Sequence, residues 1–82
     1  MKDNIQKLRS HSEIQYNICK IALSICESAI NATKILGHSS IEAENEYLLG
    51  KELIQQGLYE RGITHLQNAY NLCLEQLGRK LI

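Results

Sequence analysis

Three cysteines (Cys19, Cys26, Cys73) and three histidines (His11, His38, His65) are the side chains of this chain best suited to ligate a metal or act as a nucleophile. A structural zinc site needs four such donors, brought together in closely spaced pairs. Here the histidines fall on different segments, and no cysteine or carboxylate spacing supplies a pair. Cys19 and Cys26 stand one heptad apart, so on a helix they share a face and act as small apolar fillers. No serine, histidine and aspartate grouping points to a triad, and there is no glycine-rich phosphate loop. The expectation is a non-catalytic protein with no metal and no cofactor. An odd number of cysteines with no secretory signal before them is expected to be free thiols in a reducing compartment. On the same ground Asn31-Ala32-Thr33 is expected to be a glycosylation acceptor in letter only.

Composition narrows the class further. A formal net charge of zero, with basic residues scattered singly (Lys7, Arg9, Lys20, Lys34) apart from Arg79-Lys80, leaves no electrostatic footprint for nucleic acid or an anionic membrane. The most apolar run, Ile18 to Leu36, is interrupted by Lys20, Glu27, Asn31 and Lys34, so no membrane span is expected in this chain. Eighty-two residues make one small domain. The absence of proline, in a chain rich in Leu, Ile, Glu, Lys, Gln and Ala, predicts an all-α fold.

Three helices follow from the punctuation. Ser10-x-x-Glu13 and Ser39-x-x-Glu42 fit the capping box, and Gly37 and Gly57 stand where a left-handed glycine ends a helix. The predicted spans are 12–36, 41–56 and 59–80, with residues 1–11 either extending the first helix or forming a separate turn capped by Asp3. The second helix carries an apolar face of Ala43, Tyr47, Leu49, Gly50, Leu53 and Ile54. The third carries Tyr59, Ile63, Leu66, Ala69, Tyr70, Cys73, Leu77 and Leu81. Both faces follow one-sided helical spacing, and the short interval around Leu58 permits only an antiparallel hairpin.

The first helix is apolar over more than half its circumference. Ile14, Ile18, Ile21 and Ile25 form one stripe, and Cys19, Ala22, Leu23, Cys26, Ala29 and Ile30 form another beside it. A two-helix hairpin covers one stripe and leaves the other for a second copy or a partner; the alternative is a helix sunk deeply between the other two.

The hairpin matches the tetratricopeptide (TPR) pattern, which places small residues where two helices cross and large ones between. Leu49-Gly50, Leu53 and Gly62-x3-Leu66 occupy its positions, with Glu46 in place of the tryptophan and Leu74 in place of the proline. Gly50, Gly62 and Ala69 would let two backbones approach closely. One such unit does not bury its own face, which makes the first helix the expected cap.

Within Leu48 to Cys73 the chain resembles a narrower family, the single-repeat presequence receptors of the mitochondrial outer-membrane translocase (the Tom-twenty type). The shared residues are Leu49-Gly50, Glu52-Leu53, Gln56-Gly57, Tyr59-Glu60, Gly62, His65-Leu66, Asn68-Ala69 and Cys73. Of these, Gly62, His65, Asn68 and Cys73 go beyond the general repeat. The resemblance implies an import receptor at the cytosolic face of the outer membrane, whose apolar groove takes the amphipathic helix of a targeting peptide. Tyr47 and Glu52 match groove positions in character, whereas Ala43 and Glu44 replace bulky apolar residues and Leu48 replaces a glutamine. Ile41 and Leu48 fall on the otherwise polar side of the second helix. They either pack under the first helix or, flanked by Glu44 and Glu52, receive a basic partner. Two functions are therefore expected as alternatives: an adaptor that binds a helical peptide through Ile41, Glu44, Tyr47, Leu48 and Glu52, or a scaffold that self-associates, as a homodimer, through Ile14, Ile18, Ile21 and Ile25.

Overall fold

The computed structural model describes the backbone of residues 2–81 and the side chains of residues 12–78. It is all-α: α1 runs Lys2–Ile35, α2 Ile41–Gln55 and α3 Tyr59–Leu81, with no strand among the described residues. Of the two arrangements expected at the start of the first helix, the structure shows the extension: residues 2–11 continue α1. The Ser10 capping box does not begin it, because nothing in Ile5-Gln6-Lys7-Leu8-Arg9 opposes helix and the backbone continues unbroken through Ser10. The side chains of Asp3, Ser10, His11, Arg79, Lys80 and Leu81 lie outside the described residues.

The second helix is also capped one residue later than its capping box places it. Ser40, not Ser39, adopts the extended N-cap conformation, and its hydroxyl accepts the Ala43 N–H at 3.2 Å. The third helical residue is then Ala43, which has no carboxylate to return the bond, so the cap is a single serine contact. Ser40→Ala is accordingly expected to cost about 1 kcal/mol in urea denaturation and Ser39→Ala almost nothing.

Both predicted glycine stops are present. Gly37 and Gly57 have φ of 76° and 85°, a region open to glycine at little cost. Each closes a Schellman motif: His38 N–H bonds to the Thr33 carbonyl and Gly37 N–H to Lys34, while Leu58 bonds to Leu53 and Gly57 to Ile54. The chain therefore reverses twice in short loops.

The resulting order is up, down, up. Tyr16 meets Tyr59 with ring centroids 6.5 Å apart, and the Cys26 thiol reaches the Leu66 carbonyl, so α1 and α3 run parallel. Lys34 pairs with Glu44 at 2.8 Å, so α1 and α2 are antiparallel. Between the helices lies a core of mostly small side chains: Cys19, Cys26, Ile30 and Thr33 from α1, Ala43 and Ile54 from α2, and Leu66, Ala69 and Cys73 from α3. Thr33 is buried without penalty because its hydroxyl donates to the Ile30 carbonyl at 2.6 Å. Small residues pull the axes together, most of all at the α2–α3 crossing. A Cβ placed on Gly50 would lie 2.8 Å from the Gly62 carbonyl oxygen, and one on Gly62 would lie 2.9 Å from that of Gly50.

Candidate functional site

The two stripes of α1 have separate fates. Cys19, Cys26 and Ile30 are buried, with Ala22, Leu23 and Ala29 packed against them, so this stripe caps the hairpin. Ile14, Ile18, Ile21 and Ile25 all face outward, each at least half exposed, with Ile21 at 61%. The deeply sunk arrangement of α1 is thus overturned: each of its neighbours meets one side of the helix, and the isoleucine side is left over.

The exposed stripe borders a groove between α1 and α3. Its apolar wall comes from Ala22, Ile25, Cys26, Ile63, Leu66 and Tyr70, and its polar edge from Gln67, Asn68 and Asn71, enclosing about 690 Å³. A shallower hollow of about 420 Å³ continues it, where Ile25, Ser28 and Ala29 face Tyr70, Leu74 and Leu77. The groove arises because α1 and α3 run side by side in parallel while α2 lies across their other flank. Tyr70 and Leu74 emerge on the open side, at 37% and 47% exposure.

The outer face of α2 is smaller than the sequence implies. Ile41 and Leu48 are 76% and 57% exposed, so they do not pack under α1. With Glu52 they share one line along the helix, being seven and four residues apart. The other two expected members of the patch are placed elsewhere. Glu44 forms its ion pair with Lys34 of α1, a surface pair of small energetic weight. Tyr47 turns against the core, and burial, followed by the nearby Glu27 carboxylate, pushes its phenol above the ordinary range. The structure brings Ile41, Leu48 and Glu52 together and assigns Glu44 and Tyr47 to the α1–α2 junction.

One polar arrangement escaped sequence reasoning. Glu46, which replaces the repeat's tryptophan, receives His65 Nδ1 at 2.6 Å, and the Asn68 amide donates to the same carboxylate oxygen at 3.5 Å. His65 and Asn68 stand out in the sequence, as does Glu46, yet nothing there couples them. The signal is that an acid on α2 and two hydrogen-bonding groups a helical turn apart on α3 fall on the mutual face of an antiparallel pair. The result is a clamp across the hairpin that reaches the polar edge of the groove through Asn68.

The thiols are structural. Cys19, Cys26 and Cys73 are unpaired and essentially fully buried. Desolvation raises all three pKa values, that of Cys26 to about 11 with a further contribution from Cys73. No cluster of three or more His, Cys, Asp or Glu side chains among the described residues has the arrangement to hold a metal ion, and no helix among them is long and apolar enough to cross a membrane. No protein-family model, curated protein or solved structure matches the chain.

Proposed function

We propose that the chain is a non-catalytic protein-interaction module that takes up an amphipathic helix on the apolar surface formed by α1 and α3. The observation that carries this reading is the continuous row Ile14, Ile18, Ile21 and Ile25 left in solvent, its end at Ile25 lining the groove with Ile63 and Tyr70 and the adjoining hollow with Leu74. Isolated exposed apolar residues need no explanation, but a contiguous row against a groove marks a contact surface. Two parallel helices with a furrow between them offer the geometry into which a third helix packs. Titration of isotope-labelled protein with an uncharged, leucine-striped helical peptide is expected to shift the amides of Ile25, Tyr70 and Leu74. Silence at those three at millimolar peptide, in protein whose mass is that of a single chain, would refute the reading.

A second reading places a basic targeting peptide on α2. It is favoured by the exposure of Ile41 and Leu48 on one line with Glu52, within or beside the segment that resembles the presequence receptors. In this reading the chain acts in protein transport at the cytosolic face of the mitochondrial outer membrane. A basic amphipathic peptide in the same titration would then move Ile41, Leu48 and Glu52 and leave the α1–α3 groove unmoved.

A further inference from the structure

We propose that the helix taken up on the α1–α3 surface is α1 of a second copy, laid antiparallel across a twofold axis that passes the seam midway between Ile18 and Ile21. This inference rests on the reading of that surface as a helix acceptor and names its occupant. The first argument is spacing. The isoleucines are separated by four, three and four residues, a series that reads the same in both directions. A twofold contact requires a self-complementary surface, in which each pairing occurs twice. An antiparallel pair centred between Ile18 and Ile21 satisfies this, setting Ile18 against the partner's Ile21 and Ile14 against the partner's Ile25. Intervals of three and four also keep all four on one seam of a coiled pair.

Charge supplies the second argument. The residues bordering the seam on α1 are Gln15, Asn17, Ser24 and Ser28, and those bordering the groove on α3 are Gln67, Asn68 and Asn71, none of them charged; the carboxylate behind Asn68, that of Glu46, is already held by His65 and Asn68. The charges of this stretch of α1 are directed elsewhere: Lys20 lies 4.8 Å from the centre of the Tyr16 ring, and Glu27 stands beside Tyr47. A basic peptide finds no acidic rim here, whereas the uncharged seam of a second copy meets no repulsion.

Breadth selects the direction. The seam from Ile14 to Ile25 is only about 17 Å long, and a stable dimer needs roughly 800 Å² from each partner. The contact must therefore include the α3 flank at Tyr70 and Leu74, which lies beside Ile25. An antiparallel partner brings an isoleucine to that flank at each end of the contact. A parallel partner would set Ile14 against its own copy, at the Tyr16–Tyr59 end and away from Tyr70.

Light scattering is expected to give the mass of two chains, and Ile21→Asp is expected to raise the dimer dissociation constant at least roughly 100-fold, because the change enters the contact twice. Its helicity should be retained, since Ile21 is largely solvent-exposed within one chain. Under mild oxidation, a mixture of Ile14→Cys and Ile25→Cys proteins should form a linked heterodimer, while neither alone, nor the native protein with its buried thiols, should cross-link. Linked homodimers of Ile14→Cys would overturn the antiparallel arrangement, and the mass of one chain at millimolar concentration would overturn the dimer altogether. In a monomeric protein, the leucine-striped peptide then decides the wider reading: shifts at Ile25, Tyr70 and Leu74 leave the helix acceptor standing, and their absence removes both.

Discussion

Gly62→Ala is expected to destabilise the fold by about 2 kcal/mol, although the same change in an isolated helix would stabilise it by about 1 kcal/mol. The reversal is steric. A Cβ at Gly62 would stand 2.6 Å from Cγ1 of Ile54 and 2.9 Å from the Gly50 carbonyl oxygen. Ile54 is buried and β-branched, so its Cγ1 has no free rotamer to retreat to, and the carbonyl moves only if α2 moves. Gly50→Ala meets the Gly62 carbonyl at 2.8 Å and Leu66 at 3.0 Å, and a similar loss is expected. Each new methyl would press on the other glycine's backbone, so the helix separation forced by one change relieves the second. The double variant should therefore lose less than the two single losses added together, a coupling that thermal or urea denaturation resolves. Gly78→Ala is the control, since a Cβ there meets nothing within 4 Å; about 0.5 kcal/mol of stabilisation is expected so near the helix end. A stabilised Gly62→Ala protein would show that the helices do not cross where these glycines place them.

The same glycines show why much of the architecture was readable in advance. Gly37 and Gly57 mark the ends of helices by a local backbone requirement, which a single sequence displays directly. Gly50 and Gly62 needed one further step, because a glycine inside a helix makes sense only if something approaches it. The isoleucine and cysteine stripes were separable by periodicity alone, and periodicity also showed that two helices leave one stripe uncovered. What periodicity does not encode is which stripe is covered. In the fold the covered stripe is the one with the smaller side chains: Cys19, Cys26 and Ile30 are buried with Ala22, Leu23 and Ala29 against them, and the four isoleucines stay in solvent. Glu44 lies between the two faces of α2 on a wheel, and only the approach of α1, bringing Lys34, draws it to the junction. Tyr47 stands on the apolar face that periodicity assigns it, and there it packs against the core. The Ser40 cap differed by one residue because adjacent serines have equal capping chemistry, and the backbone chose between them. The groove itself belongs to no single element. It exists because α1 and α3 are parallel neighbours, a long-range relation that no local pattern contains.

The three thiols are expected to react with an aromatic disulfide reagent on the order of 100- to 1000-fold more slowly in the folded protein than in denaturant. The thiolate is the reacting species, and burial both shields each sulfur and holds it protonated. Cys19, Cys26 and Cys73 are at most 1% exposed, so labelling must wait for the domain to open. Burst labelling of one thiol in the folded state would contradict its position in the core. Gly62→Ala should accelerate labelling in proportion to the stability it loses. Raising the pH adds a second effect. In the unfolded chain the Cys26 thiol ionises around its ordinary value of 9.0, whereas in the folded protein it holds its proton to about 11. The unfolded state alone gains from deprotonation between these values, so the stability is fully present below pH 9 and falls as the pH rises towards 11. Denaturation midpoints measured across this window should decline, and Cys26→Ala should flatten the decline beyond its own packing loss. Protein concentration then joins the thiols to the α1 seam. If a second copy binds only the folded chain, mass action stabilises that chain, and labelling slows as concentration rises. Ile21→Asp, which leaves the cysteine stripe untouched, should abolish that dependence and keep the slow labelling of the single folded chain.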